Sequence, residues 1–283
     1  MRIGAHTLIW VAPFTGETLD LVDRVRDLGF DAIDIGVGEV PPPFPAAELR
    51  RRLARTGLTA SLATSLNAQR DIISDDADAR RAGVEFLQGV ARLCGEVGAG
   101  TLIGPIHSEL RRQRLDSPPV REERWKRCAD GLAAVAREAE RAGVSVAVEP
   151  LNRFENDFLT TTAGGVRLCR MVGHPRLGLL LDTFHMNIEE RRIGDAIRSA
   201  RGHIVHFHTC ENDRGAPGSG HVDWVEVRDA LRDVGYDGVC SIESYNPDVS
   251  ALAQRLSIWR RFAPSQDQLC SEGLAFLRNL FQS

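Results

Sequence analysis

The chain has 283 residues, 43% of them hydrophobic and 26% charged, which is globular composition with enough apolar material for a full core and excludes intrinsic disorder. Its 35 Lys and Arg against 39 Asp and Glu give a formal net charge of −4, which argues against a nucleic-acid partner, whose phosphates call for a basic surface. No apolar run approaches the roughly 20 residues that span a bilayer, and no basic amphipathic segment reads as a membrane-surface helix.

In chain order, the uncharged stretch 3–16 superficially resembles the core of a signal peptide, but His6 and Pro13 interrupt it and a single Arg2 precedes it. It reads instead as a first strand and its loop. Short apolar or β-branched runs follow at 31–37, 58–64, 101–106, 144–149, 177–182, 204–208 and 239–243, which with 2–7 makes eight. Between them lie segments with helical spacing, such as Leu21, Val22, Val25 and Leu28, or Trp224, Val227, Leu231 and Val234. Gly29, Gly57, Gly143, Gly173 and Gly235 stand where helices need a left-handed residue to stop. Strict alternation of strand and helix predicts a parallel sheet with right-handed crossovers, and eight units allow it to close. The expected fold is a single (β/α)8 TIM barrel domain over 1–283. An additional C-terminal helix at 266–281, with Leu274, Leu277, Leu280 and Phe281 on one face, is expected outside the barrel or at a contact between copies.

In such barrels chemistry gathers at the C-terminal ends of the strands. Counting by twos along each strand, Glu149, Asp182, His208 and Glu243 are the inward-pointing ends of strands five to eight. Three carboxylates in one mouth repel unless compensated, and a divalent cation is the natural compensation. Oxygen-rich ligation with one imidazole suits Mn²⁺, Mg²⁺ or Co²⁺ better than structural Zn²⁺. Single acidic residues at strand ends can instead cap helices or form ion pairs.

His206, one layer deeper than His208, reads as a buried, hydrogen-bonded core histidine rather than a ligand. His185, Arg214 and Glu155 lie on the loops that follow these strand ends, where substrate contacts cluster, although solvated loop positions or a helix cap (Glu155) would also account for them. His174 lies at the opposite end of a strand and reads as structural. The Gly-rich segment 214–220 suits either a phosphate cradle or a hinged lid, and Asp248 after strand eight favours an unphosphorylated substrate. Six cysteines spaced thirty or more residues apart, with no CxxC pair, suit reduced structural thiols and a cytoplasmic setting. Among them, Cys210 is expected to pack beside the site rather than ligate. No GxSxG, HExxH, GxGxxG or P-loop pattern is present.

The segments 151–155 (LNRFE), 181–190 (LDTFHMNIEE) and 206–209 (HFHT), with the spacing between the four strand-end residues, resemble the ketose 3-epimerases of the xylose-isomerase-like barrels. The similarity is densest from Val148 to Tyr245 and looser in the first half, around 4–10, 28–31 and 106–108. It implies that Glu149, Asp182, His208 and Glu243 bind one metal ion, Mn²⁺ first with Co²⁺ or Mg²⁺ as alternatives. It also implies that Glu149 and Glu243 exchange protons with the substrate and that Glu155, His185 and Arg214 contact the O1 to O3 end of the sugar. A homo-oligomer, dimer or tetramer, is expected on the same ground. The sequence departs from the family at Glu243-Ser-Tyr, where Glu-Pro-Phe is usual, at Leu110, and at His6 in place of an aromatic residue. All three shape the far end of the sugar pocket.

The residue types fit C3 epimerisation of a free ketose of the D-tagatose/D-sorbose, D-fructose/D-psicose or L-ribulose/L-xylulose type. One carboxylate takes a proton beside the ketone, a cis-enediolate forms, and the other carboxylate returns a proton to the opposite face. The competing readings are an aldose-ketose isomerase of the hydroxypyruvate-isomerase kind and a sugar-binding barrel without catalysis. A DNA-repair endonuclease of this barrel type would need more histidines and a basic face.

Overall fold

In the computed structural model, which describes residues 1–282, every one of the eight apolar runs forms a short parallel strand. These are β1 (Arg2–His6), β2 (Ala32–Gly36), β3 (Thr59–Ala63), β4 (Thr101–Gly104), β5 (Ser145–Val148), β6 (Leu177–Asp182), β7 (Ile204–His208) and β8 (Val239–Ile242). They pair in sequence order, and β8 pairs with β1 to close the barrel. The helices are α1 (Leu21–Asp27), α2 (Ala46–Thr56), α3 (Ala77–Val97), α4 (Pro118–Ala142), α5 (Thr162–Val172), α6 (Thr183–Glu189), α7 (Ile193–Ser199), α8 (Trp224–Asp233), α9 (Ser250–Leu256) and α10 (Gln266–Gln282). All five expected helix-stop glycines have positive φ, from 62° at Gly173 to 96° at Gly29.

Outward-facing Ile33, Leu62, Val146, Val148, Leu179 and Phe207 are fully buried under the helices, as strands covered on both faces require. Inside, Ile103, Ala147 and Leu180 form a small apolar plug, with Ala63 and Val205 against it. The floor near β1 and β8 is closed by small residues, and a Cβ on Gly4 would come within 2.4 Å of the Ser241 hydroxyl.

Two local features depart from the sequence expectation. Strand four stops at Gly104 rather than 106, because Gly104 turns at φ 126° with its Cα against the Thr64 carbonyl, where a Cβ would lie 2.2 Å away. Alternation along β7 is broken between Ile204 and His206, where the register with β6 shifts. That bulge turns Ile204 outward and Val205 inward while keeping His206 and His208 on the interior face. The C-terminal helix is present outside the barrel, as expected. The short helix after β8, α9, packs at the barrel mouth with Tyr245 and Ile258. The eighth outer position is therefore taken by α10, which packs on β1, β8 and α8 and is joined to α1 by an Arg24–Asp267 ion pair of 2.5 Å. Among the described residues no helix is long and apolar enough to cross a membrane.

Candidate active site

Asp182 and His208 are the last residues of β6 and β7, and Glu149 and Glu243 lie one residue beyond β5 and β8. The Glu149 amide still donates to the Gly104 carbonyl at 3.0 Å, so the sheet fixes its side-chain direction. All four side chains are buried, and one ligand atom from each lies within 4.8 Å of the others. His208 Nδ1 is 3.6 Å from Glu243 Oε2 and 3.9 Å from Glu149 Oε1. Glu149 Oε1 and both His208 nitrogens are buried without a hydrogen-bond partner. Unpaired buried acceptors in a three-carboxylate, one-imidazole set are what a hard divalent cation satisfies, so the residues present fit such an ion.

The two glutamates are pushed in opposite directions. Burial, then the neighbouring charges of Glu243 and Asp182, raise the Glu149 carboxyl well above the ordinary range. Burial also pushes Glu243 upward, but the charges of His208 and Arg214 outweigh it and hold Glu243 well below that range. Carboxyls separated in this way suit giving and taking a proton across one substrate.

Around this group stands a ring of residues from the loops. His185 is buried and accepts the Asn152 amide at Nδ1 (3.1 Å), while its Nε2 lies 3.1 Å from Arg214 Nη2, 3.7 Å from Glu149 Oε1 and 3.8 Å from Asp182 Oδ2. Burial above all lowers its pKa. Glu155 accepts from Asn152 Nδ2 at 3.0 Å and faces the cavity. It does not cap α5, whose N-cap is Thr161. Arg214, at φ 71°, lies between two carboxylates, donating to Asp182 Oδ2 (2.6 Å) and Glu243 Oε2 (2.9 Å), and its guanidinium stacks on Phe184.

The Gly-rich segment does not form an anion cradle. Within it the Gly215 amide donates to Asp213, the Ser219 amide to the Ala216 carbonyl and the Gly218 amide to Glu211, a fully buried carboxylate that also accepts the Val222 amide and the Trp224 indole, these last three each at 2.9 Å. The Ser244 hydroxyl also holds the Arg214 carbonyl at 2.7 Å. Asp248 pairs with Arg261 at the surface and carries no argument about phosphate. Cys210 lies beside the site, with Sγ 3.2 Å from the Glu243 carbonyl, and His174 caps a turn far from it by accepting the Arg176 amide. All six cysteines are free and buried.

His206 is the core histidine expected, and its partner, Asp34 on β2, is 3.0 Å away. The sequence reading missed Asp34 and Glu211. A lone acid inside Ala-Ile-Asp-Ile-Gly was a visible signal for Asp34, whereas the Glu211 partners lie up to thirteen residues away and leave no local pattern.

The mouth opens into a cavity of about 470 Å³. Its inner end is polar, with Glu149, Glu155, His185, His208 and Glu243, and its outer wall is largely apolar, with Leu8, Phe14, Val37, Leu110, Leu252 and Leu256. His6 lines it too. His6 Nδ1 accepts the Leu8 amide, and its Nε2 is 4.0 Å from Glu243 Oε1.

A closed parallel barrel with a carboxylate-rich, enclosed mouth places the protein among the xylose isomerase-like TIM barrels, and the model of that family matches residues 22–280. The chain is 34% identical to a probable ketose 3-epimerase of Synechocystis sp., covering 100% of this chain and 98% of that one, and 34% identical to an L-ribulose 3-epimerase of Mesorhizobium japonicum, covering 98% and 93%. A solved structure of an L-ribulose 3-epimerase superposes with a TM-score of 0.93 at 33% identity, over 99% of this chain and 94% of the other. The chain belongs to the ketose 3-epimerase family and is an isomerase of the carbohydrate epimerase class.

Proposed function

We propose that the protein interconverts C3 epimers of free ketoses, with Glu149 and Glu243 as the proton-exchanging pair. The observation that carries this reading is that both carboxyls line one cavity from strands three apart around the barrel. One removes the C3 proton, and the other delivers a proton to the opposite face of the planar enediolate, so the stereocentre inverts. Which of them acts as base depends on the epimer bound.

Glu149, Asp182, His208 and Glu243 would hold a single divalent ion, Mn²⁺ before Co²⁺ or Mg²⁺. When bound there it supplies the positive charge that stabilises negative charge developing on the substrate oxygens. His185 and Glu155, both oriented by Asn152, would contact the O1 to O3 end of the sugar, where the Glu155 carboxylate accepts a hydroxyl. Arg214 holds Asp182 and Glu243 in place through its two hydrogen bonds, and its charge helps keep Glu243 ionised. The apolar outer wall and the Glu211-filled loop support an unphosphorylated sugar of the fructose/psicose, tagatose/sorbose or ribulose/xylulose type, and six free cysteines suit a cytoplasmic enzyme.

The test is to incubate D-fructose, D-psicose, D-tagatose and L-ribulose with the protein and Mn²⁺ in D₂O, with and without EDTA, and follow them by NMR. Deuterium at C3 with a ketose product, abolished by EDTA, is the expected result. Label at C1 with an aldose product would replace the reading with an aldose-ketose isomerase, and no exchange in any sugar would remove it.

A further inference from the structure

Asp34 lies in the middle of β2, points into the barrel, and has no exposed surface. It is outside the four-residue group and outside the cavity lining. Burying an ionised carboxylate is costly unless it is paired, and surrounding structure satisfies only half of this one. Oδ1 has no hydrogen-bond partner, while Oδ2 lies 3.0 Å from His206 Nε2 and 3.3 Å from His208 Nε2.

The His208 ring is thereby addressed from two sides. Nε2 faces Asp34, and Nδ1 faces Glu149 and Glu243. The ring is also wedged edge-on between two other imidazoles, His206 at 5.4 Å and 83° and His6 at 6.0 Å and 86°, which restricts its rotation. A neutral imidazole carries one proton, and whichever nitrogen holds it cannot ligate a cation. An acceptor at Nε2 assigns the proton to that side and leaves the Nδ1 lone pair directed at the carboxylates.

We propose that Asp34 is a positioning residue for the cation site, fixing the tautomer and orientation of His208 from the floor of the barrel while His206 fixes Asp34 in turn. The proposal rests on the reading that His208 is a metal ligand. His206 and His208, two residues apart on the interior face of β7, lie at successive depths beside that one carboxylate.

The experiment is calorimetric titration of the metal-free full chain with Mn²⁺, and with Co²⁺ while its visible absorption is recorded, for wild type, Asp34→Asn, Asp34→Ala and His206→Gln. Melting temperatures of the metal-free proteins are measured beside them. Asp34→Asn keeps the shape of the side chain and guards against a failure of Asp34→Ala to fold. Loss of a carboxylate behind a ligating histidine weakens metal binding by ~10- to 100-fold. That loss is expected in both Asp34 variants, with a shifted Co²⁺ band in whichever still binds, and a smaller loss in His206→Gln. Wild-type affinity in Asp34 variants whose melting temperature alone has fallen would make Asp34 merely structural and overturn the proposal while leaving the site reading intact. Two ions per wild-type chain, one of them lost on changing Asp34 or His206, would overturn it in favour of a second cation held by Asp34 itself. No binding by wild type would overturn both the proposal and the site reading.

Discussion

The two halves of the barrel mouth are made of different material. Strands β5 to β8 end in Glu149, Asp182, His208 and Glu243, each held by the sheet ladder and cross-linked by Arg214 and His185. Strands β1 to β4 end in His6, Gly36, Ala63 and Gly104, and their loops bring Leu8, Phe14, Val37 and Leu110 to the cavity wall. One half concentrates charge whose geometry must be exact to fractions of an ångström, and the other supplies shape. Substitutions in the β1–β4 half should therefore select among sugars, and substitutions in the β5–β8 half should decide whether any sugar reacts.

The largest expected effect breaks the chemical half. Glu149→Gln and Glu243→Gln each remove one proton carrier while keeping the side-chain shape, and each should lower kcat by about 10³-fold or more. Single-turnover deuterium exchange at C3 checks this, and a variant that keeps near-wild-type turnover ends the two-carboxylate scheme. Arg214→Ala comes next. It leaves Asp182 and Glu243 as facing buried anions, and the breakage of such a pair costs about 3–5 kcal/mol. We expect kcat/KM to fall about 10²-fold with a lowered denaturation midpoint, and Arg214→Lys to recover only part of both.

A change in the shape half should act differently. Leu110→Phe narrows the apolar wall without touching a charge, and is expected to move the ratio of kcat/KM between two ketoses by about tenfold while kcat on the better one changes little. An equal loss on every sugar would show that the division between halves is wrong. The smallest effect concerns His107, behind the mouth on the loop that follows β4. Burial above all depresses its pKa to about 3, so it is neutral in the folded chain, whereas in the unfolded chain it protonates near 6.5. Its contribution to stability is present above pH 6.5 and is lost as pH falls from there towards 3, with a slope of up to about 1.4 kcal/mol per pH unit. Denaturant midpoints between pH 7 and 4 should show a flatter decline in His107→Asn than in wild type.

This division also explains how much of the molecule was legible in the sequence. The eight strands, the glycines that stop the helices and the four strand-end residues follow from local periodicity, which reports what faces the core and what ends a ladder. The ring position of α10 was not legible, because it depends on α9 folding over the mouth and leaving the outer face beside β1 uncovered. The bulge in β7 was not legible either, since it is set by register against β6. The 214–220 segment was misread for a related reason. Glycine content shows that backbone N–H groups can converge but not what they converge on, and here they meet a carboxylate of the chain itself.

That carboxylate has an evolutionary consequence. Glu211 gathers the amides of Gly218 and Val222, the Asn212 amide at 3.3 Å and the Trp224 indole, so one substitution there would release the loop that carries Arg214 all at once. The neighbouring stretch around α9 is tied across the mouth by separate contacts, the Arg255–Ser65 and Arg111–Ser257 hydrogen bonds and the packing of Ala253 and Ile258 on Tyr245, so that no single residue of it holds all the rest. A lineage could therefore adapt this enzyme to new sugars by drift through residues 246–258, while the loop next to it stays locked to the chemistry it serves.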